Sequence, residues 1–157
     1  MAADIEVDGR QAITSLRALN GAFMHSVAET TRVTLEEVER HAKATTLFND
    51  KSGAGVTRAG EGTRSSIKAH VEGTTRGFVE AGGAAQFLEN GTQPHEIWAH
   101  GGGMLRFEVA GTVFFRRMVH HPGTAPRPFM QQARDHGQQV ADFAAEIFLE
   151  EAIRRHP

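Results

Sequence analysis

From Ile13 to Ala42 an apolar residue recurs every three or four positions: Ile13, Leu16, Leu19, Phe23, Val27, Leu35, Val38 and Ala42, with Thr31 filling one step. No proline or turn-forming pair interrupts the series. This spacing lines one face of an α-helix and predicts a helix over about 9–48. At ~1.5 Å per residue such a rod is about 55–60 Å long, which is long for one small domain. Asp8 reads as its N-cap, with Gln11 three residues on. Two features would let it break. Gly21 costs about 1 kcal/mol against alanine in a helix interior. Thr34 and Glu37 have capping-box spacing, with Val33 and Val38 placed as a hydrophobic staple. The alternative to one long, bent helix is therefore two helices meeting near residues 31–34; the unbroken stripe favours one.

The rest of the chain divides by composition. Residues 49–64 are rich in glycine and read as a loop, and a loop of that length without structure of its own is either functional or disordered. Lys51, Gly53, Gly55, Arg58 and Glu61 are its candidates for meeting a partner. Residues 65–120 read as strands. Ile67, Ala69 and Val71 alternate with Lys68, His70 and Glu72; Phe78-Val79 is a second short run. Leu105, Phe107 and Val109 alternate with Arg106 and Glu108, and Gly111-Thr112 turns the chain into Val113–Val119, a hairpin signal. Ala84–Glu89 fits a short helical turn. Pro126 and Pro128 suit the start of a helix, and Phe129, Ala133, Val140, Phe143 and Ile147 continue it over about 128–154, with Arg154 and Arg155 at the end where the helix dipole favours cations. The order helix, loop, strands, helix predicts an α+β fold, one domain over 1–157, with helices packed on an antiparallel sheet of about four strands.

Composition excludes more than it assigns. The formal net charge of −2 argues against tight, sequence-independent binding of nucleic acid. With no cysteine there is no disulfide framework, thiolate metal site or cysteine nucleophile. Met1–Asp8 lacks the basic and apolar regions of a signal peptide, and no apolar run reaches the roughly 20 residues that span a bilayer. The nine histidines show no metal-ligand spacing; His120 and His121 are adjacent and would point to opposite faces of a strand. Gly101-Gly102-Gly103 lacks the lysine and following helix of a phosphate loop. Ser65-Ser66 has neither a nucleophile-elbow setting nor an evident base. No cofactor, metal or enzymatic activity is expected. Glu36, Glu37 and Glu39 read as a solvated face of the long helix, or alternatively as a like-charged lining for a DNA channel.

Two clusters carry a family resemblance. One is Ala84-Ala85-Gln86-Phe87-Leu88-Glu89-Asn90-Gly91-Thr92, followed by Pro94-His95. The other is His120-His121-Pro122-Gly123-Thr124-Ala125-Pro126-Arg127-Pro128-Phe129-Met130. A weaker third is Gly62-Thr63-Arg64-Ser65-Ser66-Ile67. In this order they resemble the small tail-completion, or minor tail, family encoded in the neck-to-tail module of long-tailed bacteriophages. The chain departs from that pattern at Ala84, where the family often has tyrosine, and lacks an Asp-Thr-Gly before its first strand.

The resemblance implies a long N-terminal helix against a curved antiparallel sheet, closed by a C-terminal helix. It implies a structural virion protein at the head–tail junction, made in the host cytoplasm. Subunits would form a ring, commonly hexameric, between a head-completion (stopper) protein and the tail terminator or tail tube. Genome DNA would pass through the lumen without sequence-specific contact, and no membrane is involved. The alternatives are a tail terminator capping the tail tube and, more remotely, a small binding module unrelated to phage. The family has no catalytic residues to carry over.

The motif residues themselves read as turn chemistry. Asn90 and Gly91, beside Glu89 and Thr92, tolerate positive φ; in His121-Pro122-Gly123-Thr124 proline sets φ and glycine relieves the next position. Pro126 and Pro128 stiffen the approach to the last helix and Phe129 anchors it. The plain expectation is that these residues hold the fold; the sharper one is that the two turns meet at a subunit interface.

Overall fold

The computed structural model describes residues 9–48 and 62–155. Asp8 and the loop candidates Lys51, Gly53, Gly55, Arg58 and Glu61 lie outside the described residues. The elements are α1 (Arg10–Ala44), β1 (Lys68–Glu72), β2 (Arg76–Glu80), α2 (Ala85–Asn90), β3 (His95–Trp98), β4 (Leu105–Val109), β5 (Thr112–Arg116), β6 (Met118–His121) and α3 (Phe129–Arg155).

The α1 stripe folds as one helix of 35 residues, about 52 Å long. It is not divided near residues 31–34. The capping box there does not form, because Thr34 is packed inside the helix pair with its hydroxyl buried and unpartnered, and Glu37 turns to other partners. The helix continues through Gly21, where nothing approaches within 4 Å of a Cβ position.

The two long helices run antiparallel. The Ser26 hydroxyl donates to the Phe148 carbonyl at 3.0 Å, and Glu37 meets the His136 ring at 2.8 Å, so numbers rise along α1 as they fall along α3. Gly137 permits a close approach: a Cβ there would stand 2.2 Å from Cγ2 of Val38. The stacked rings of His41 and His136, centroids 4.4 Å apart, lie one turn away. The other flank of α1 carries the β1–β2 hairpin, where Leu35 packs over Gly77 and a Glu39 carboxylate oxygen accepts the Ala69 N–H at 2.7 Å.

The core is small and sits at one end of the helix pair. Ala42, Phe48, Ile67, Ala85, Phe129 and Ala133 are buried there, with Val38, Leu47, Val79, Ala81, Leu88 and Met130 packed against them. Phe48 meets Phe129 edge-on at 4.9 Å. Toward the other end Ile13, Leu16, Leu19 and Phe23, the first half of the apolar stripe, are 40–65% exposed.

The α+β class and both long helices are as the sequence predicts, but the single sheet of about four strands is not found. Six strands form three two-stranded antiparallel ladders, β1–β2, β3–β6 and β4–β5. The last two lie along one ribbon. Thr92 bridges Thr124, His95–Trp98 pairs with His121–Met118, the Ala99 N–H reaches the Arg117 carbonyl at 2.8 Å, and Leu105–Val109 pairs with Arg116–Thr112. Residues 100–104 are extra on one strand, so the two ladders differ in register and do not merge. The ribbon closes on Ala110-Gly111, both with positive φ (49° and 80°), one residue earlier than the turn expected at Gly111-Thr112. Mirror-image two-residue turns of this kind match the right-handed twist of a hairpin.

Candidate interaction surfaces

The two motif clusters, 32 residues apart at Thr92 and Thr124, come together within one subunit. The backbone of Thr92 and Thr124 exchanges N–H···O bonds at 3.0 and 3.1 Å, and their hydroxyls lie 3.1 Å apart. Gly91 and Gly123 flank this bridge at φ of 70° and 85°. A Cβ on Gly91 would come within 2.4 Å of the Thr124 carbonyl oxygen, and one on Gly123 within 2.3 Å of that of Thr92. Both positions need glycine twice over: for positive φ and for the close approach of backbone. The Gly123 N–H donates to Nδ1 of His121 at 3.1 Å, which holds the turn through Pro122. The two turns therefore meet each other within one subunit.

Glu89 does something that its place in the motif does not announce. Its two carboxylate oxygens accept the N–H groups of Met130 and Gln131, each at 2.9 Å. These donors belong to the first turn of α3, where backbone N–H groups lack partners within the helix and the dipole favours negative charge. Glu89 thus caps a helix 41 residues away, and the Arg127 N–H ties the same junction to the Leu88 carbonyl at 2.7 Å. Pro126 and Pro128 lead into α3 ahead of Phe129, which is 1% exposed. Glu89, Gly91, Thr92, His121, Pro122, Gly123, Pro126, Pro128 and Phe129 form one structural joint.

The third motif also builds structure. Thr63, Ser66 and Ile67 are buried. Ser66 donates to the Thr63 carbonyl at 2.7 Å and accepts from the Gly82 N–H at 2.8 Å. Arg64, which sequence reasoning missed, gathers the carbonyls of Lys43, Thr45 and Phe48 at the end of α1 and lies over the Phe48 ring at 4.9 Å.

Of the three glutamates read as a solvated face, only Glu36 fits that reading; it is exposed and paired with Arg32 at 2.9 Å. Glu37 bonds Arg40 and His136, and these two, Arg40 foremost, hold its carboxyl down to about 2. Glu39 pairs with Lys43 at 2.5 Å, and Lys43, followed by the Ala69 N–H, lowers its carboxyl below the usual range. Both are turned into the subunit because α1 is flanked on two sides, by α3 and by β1–β2.

Beside the exposed Ile13–Phe23 half of the α1 stripe, three further surfaces stand out among the described residues. The first is a groove of about 780 Å³ between α2 and the base of the ribbon, lined by apolar Phe87, Leu88, Pro94 and Ile97 and by the histidine pair His95–His121. The second is the ribbon itself: no residue from 92 to 124 is buried. Phe107 and Phe114 stack on one face with centroids 5.7 Å apart, and Arg116 lies over Phe114. On the other face Phe115 stands opposite Arg106, and Val113 opposite Glu108. Apolar side chains on both faces, in a ribbon with two open edges, are poorly suited to stand alone in water. The third is the outer face of α3, where Phe143, Ile147 and Ile153 are 45–65% exposed beside Asp142, Glu146 and Glu150.

Among the described residues no group of three or more histidine, aspartate or glutamate side chains is arranged to hold a metal ion, and no helix is long and apolar enough to cross a membrane. Comparison of the chain with protein-family models, curated proteins and solved structures finds no match.

Proposed function

We propose that this chain is a structural subunit of the neck of a long-tailed phage: a tail-completion or head–tail connector protein that works as a ring of identical copies and continues the DNA channel between the head-completion protein and the tail. The observation that carries the reading is the ribbon 92–124, which holds apolar side chains on both faces and buries none of them. A protein that acts alone gains nothing from such an arm, whereas a subunit completed by its neighbours does. The order of the Glu89-Asn90-Gly91-Thr92, His121-Pro122-Gly123 and Pro128-Phe129 clusters supplies the phage context. Their joint fixes the base of the ribbon against α2 and α3 and so aims it. An arm aimed in this way suits an assembly in which neighbouring copies complete one another.

Deleting the gene from the phage genome that carries it tests this reading. The expected result is filled heads and complete tails that fail to join, seen by electron microscopy. Infectious, joined particles from the deletion would overturn it.

A further inference from the structure

We infer that the ribbon of one copy docks on the outer face of α3 of the next copy, and that this contact joins subunits in the ring. The inference rests on the ring reading above and specifies which surfaces meet.

Charge points to the pairing. The outer half of the ribbon, residues 100–117, carries Arg106, Arg116 and Arg117 against Glu108 alone. Residues 142–153 of α3 carry Asp142, Glu146, Glu150 and Glu151 and no basic residue. Within the subunit Glu151 pairs with Arg155 and Asp142 accepts from Gln138. Arg106, Arg117, Glu146 and Glu150 have no ionic partner among the described residues. Two ribbons set against each other would bring like charges together, so the ribbon selects the acidic helix face over a second ribbon.

The apolar centre agrees. On the ribbon face that carries Arg106, Val113 and Phe115 are 39% and 52% exposed. Phe143, Ile147 and Ile153 supply the apolar counterpart. The outer ladder, five residues in each strand, is roughly 17 Å long at ~3.3 Å per residue, and residues 142–153 of α3 span about 18 Å at ~1.5 Å per residue. The two surfaces differ, so the contact is head-to-tail, the type that closes a ring.

The lack of cysteine makes the test clean. Val113→Cys and Ile147→Cys chains are prepared separately, mixed and treated with a short bis-maleimide. The mixture is expected to yield a cross-linked pair of copies that neither variant yields alone. Arg106→Glu with Arg117→Glu in the Val113→Cys chain should reduce that yield roughly tenfold or more, and Glu146→Arg with Glu150→Arg in the other chain should restore it. All these positions are exposed, and circular dichroism checks that each variant folds. No mixed product, an equal product from Val113→Cys alone, or indifference to the charge reversals would overturn the inference. Those results leave the neck assignment to the gene deletion, whose failure would in turn leave the cross-link as it is.

Discussion

The joint between the two motif clusters makes a quantitative claim at Glu89. Its carboxylate accepts two N–H groups in the first turn of α3, Met130 and Gln131, both at 2.9 Å. Replacing it with alanine removes both acceptors and the negative charge at the helix N-terminus. Loss of an N-cap costs about 0.5–2 kcal/mol, and loss of the charge–dipole interaction a further ~0.3–1 kcal/mol. Glu89→Ala should therefore destabilise the chain by about 2 kcal/mol, or roughly 4–8 °C in Tm for a chain of this size. Glu89→Gln keeps one acceptor and loses the charge, and should cost about half as much. Urea denaturation followed by circular dichroism measures both, with amide hydrogen exchange at Met130 and Gln131 as the local report. If Glu89→Ala costs less than about 0.5 kcal/mol, a level typical of ordinary surface changes, the capping account is wrong.

Ala110 is the one non-glycine residue with positive φ among the described residues. Ala110→Asn suits that conformation and should stabilise the ribbon by about 0.5–1 kcal/mol, read as slower hydrogen exchange over 105–116. Gly137→Ala should gain about 1 kcal/mol from helix propensity, but its Cβ would strike Val38, an overpacking that costs about 1–3 kcal/mol. We expect a net loss of about 1 kcal/mol in urea denaturation, relieved when Val38→Ala is added. The carboxyl of Glu37 is lowered from 4.5 to about 2, so its contribution is complete above pH ~4.5 and is lost as pH falls toward ~2. With solvent screening it amounts to about 1 kcal/mol; the stability gap between wild type and Glu37→Gln should close over that range, and a gap constant with pH would contradict the pairing.

Periodic features were legible in the sequence, and contacts between distant residues were not. The three- and four-residue spacing from Ile13 to Ala42 marks α1 because one face of a helix repeats at that interval. The same stripe does not say where its cover stops, and Ile13 to Phe23 are left exposed. Alternation located β1, β4 and β5. It could not separate one sheet from three ladders, because five residues between Ala99 and Leu105, a shift of register rather than of pattern, keep β3–β6 and β4–β5 apart. The motif glycines Gly91 and Gly123 were recognisable as turns from local chemistry. That each needs to be glycine because the other's turn lies against it follows only from the fold. Glu89 looked like part of a turn because its N–H partners are far along the chain. Glu37 and Glu39 looked solvated because a helix with a single apolar stripe is normally covered on one side, and α1 is covered on two.

The central claim is that the chain belongs to a tailed particle as a ring of identical copies. Quantitative mass spectrometry of purified particles, made by the genome that carries this gene, measures that directly. The account predicts the chain in intact particles at a small fixed copy number, a ring's worth for each tail. Its absence from purified infectious particles would contradict the account.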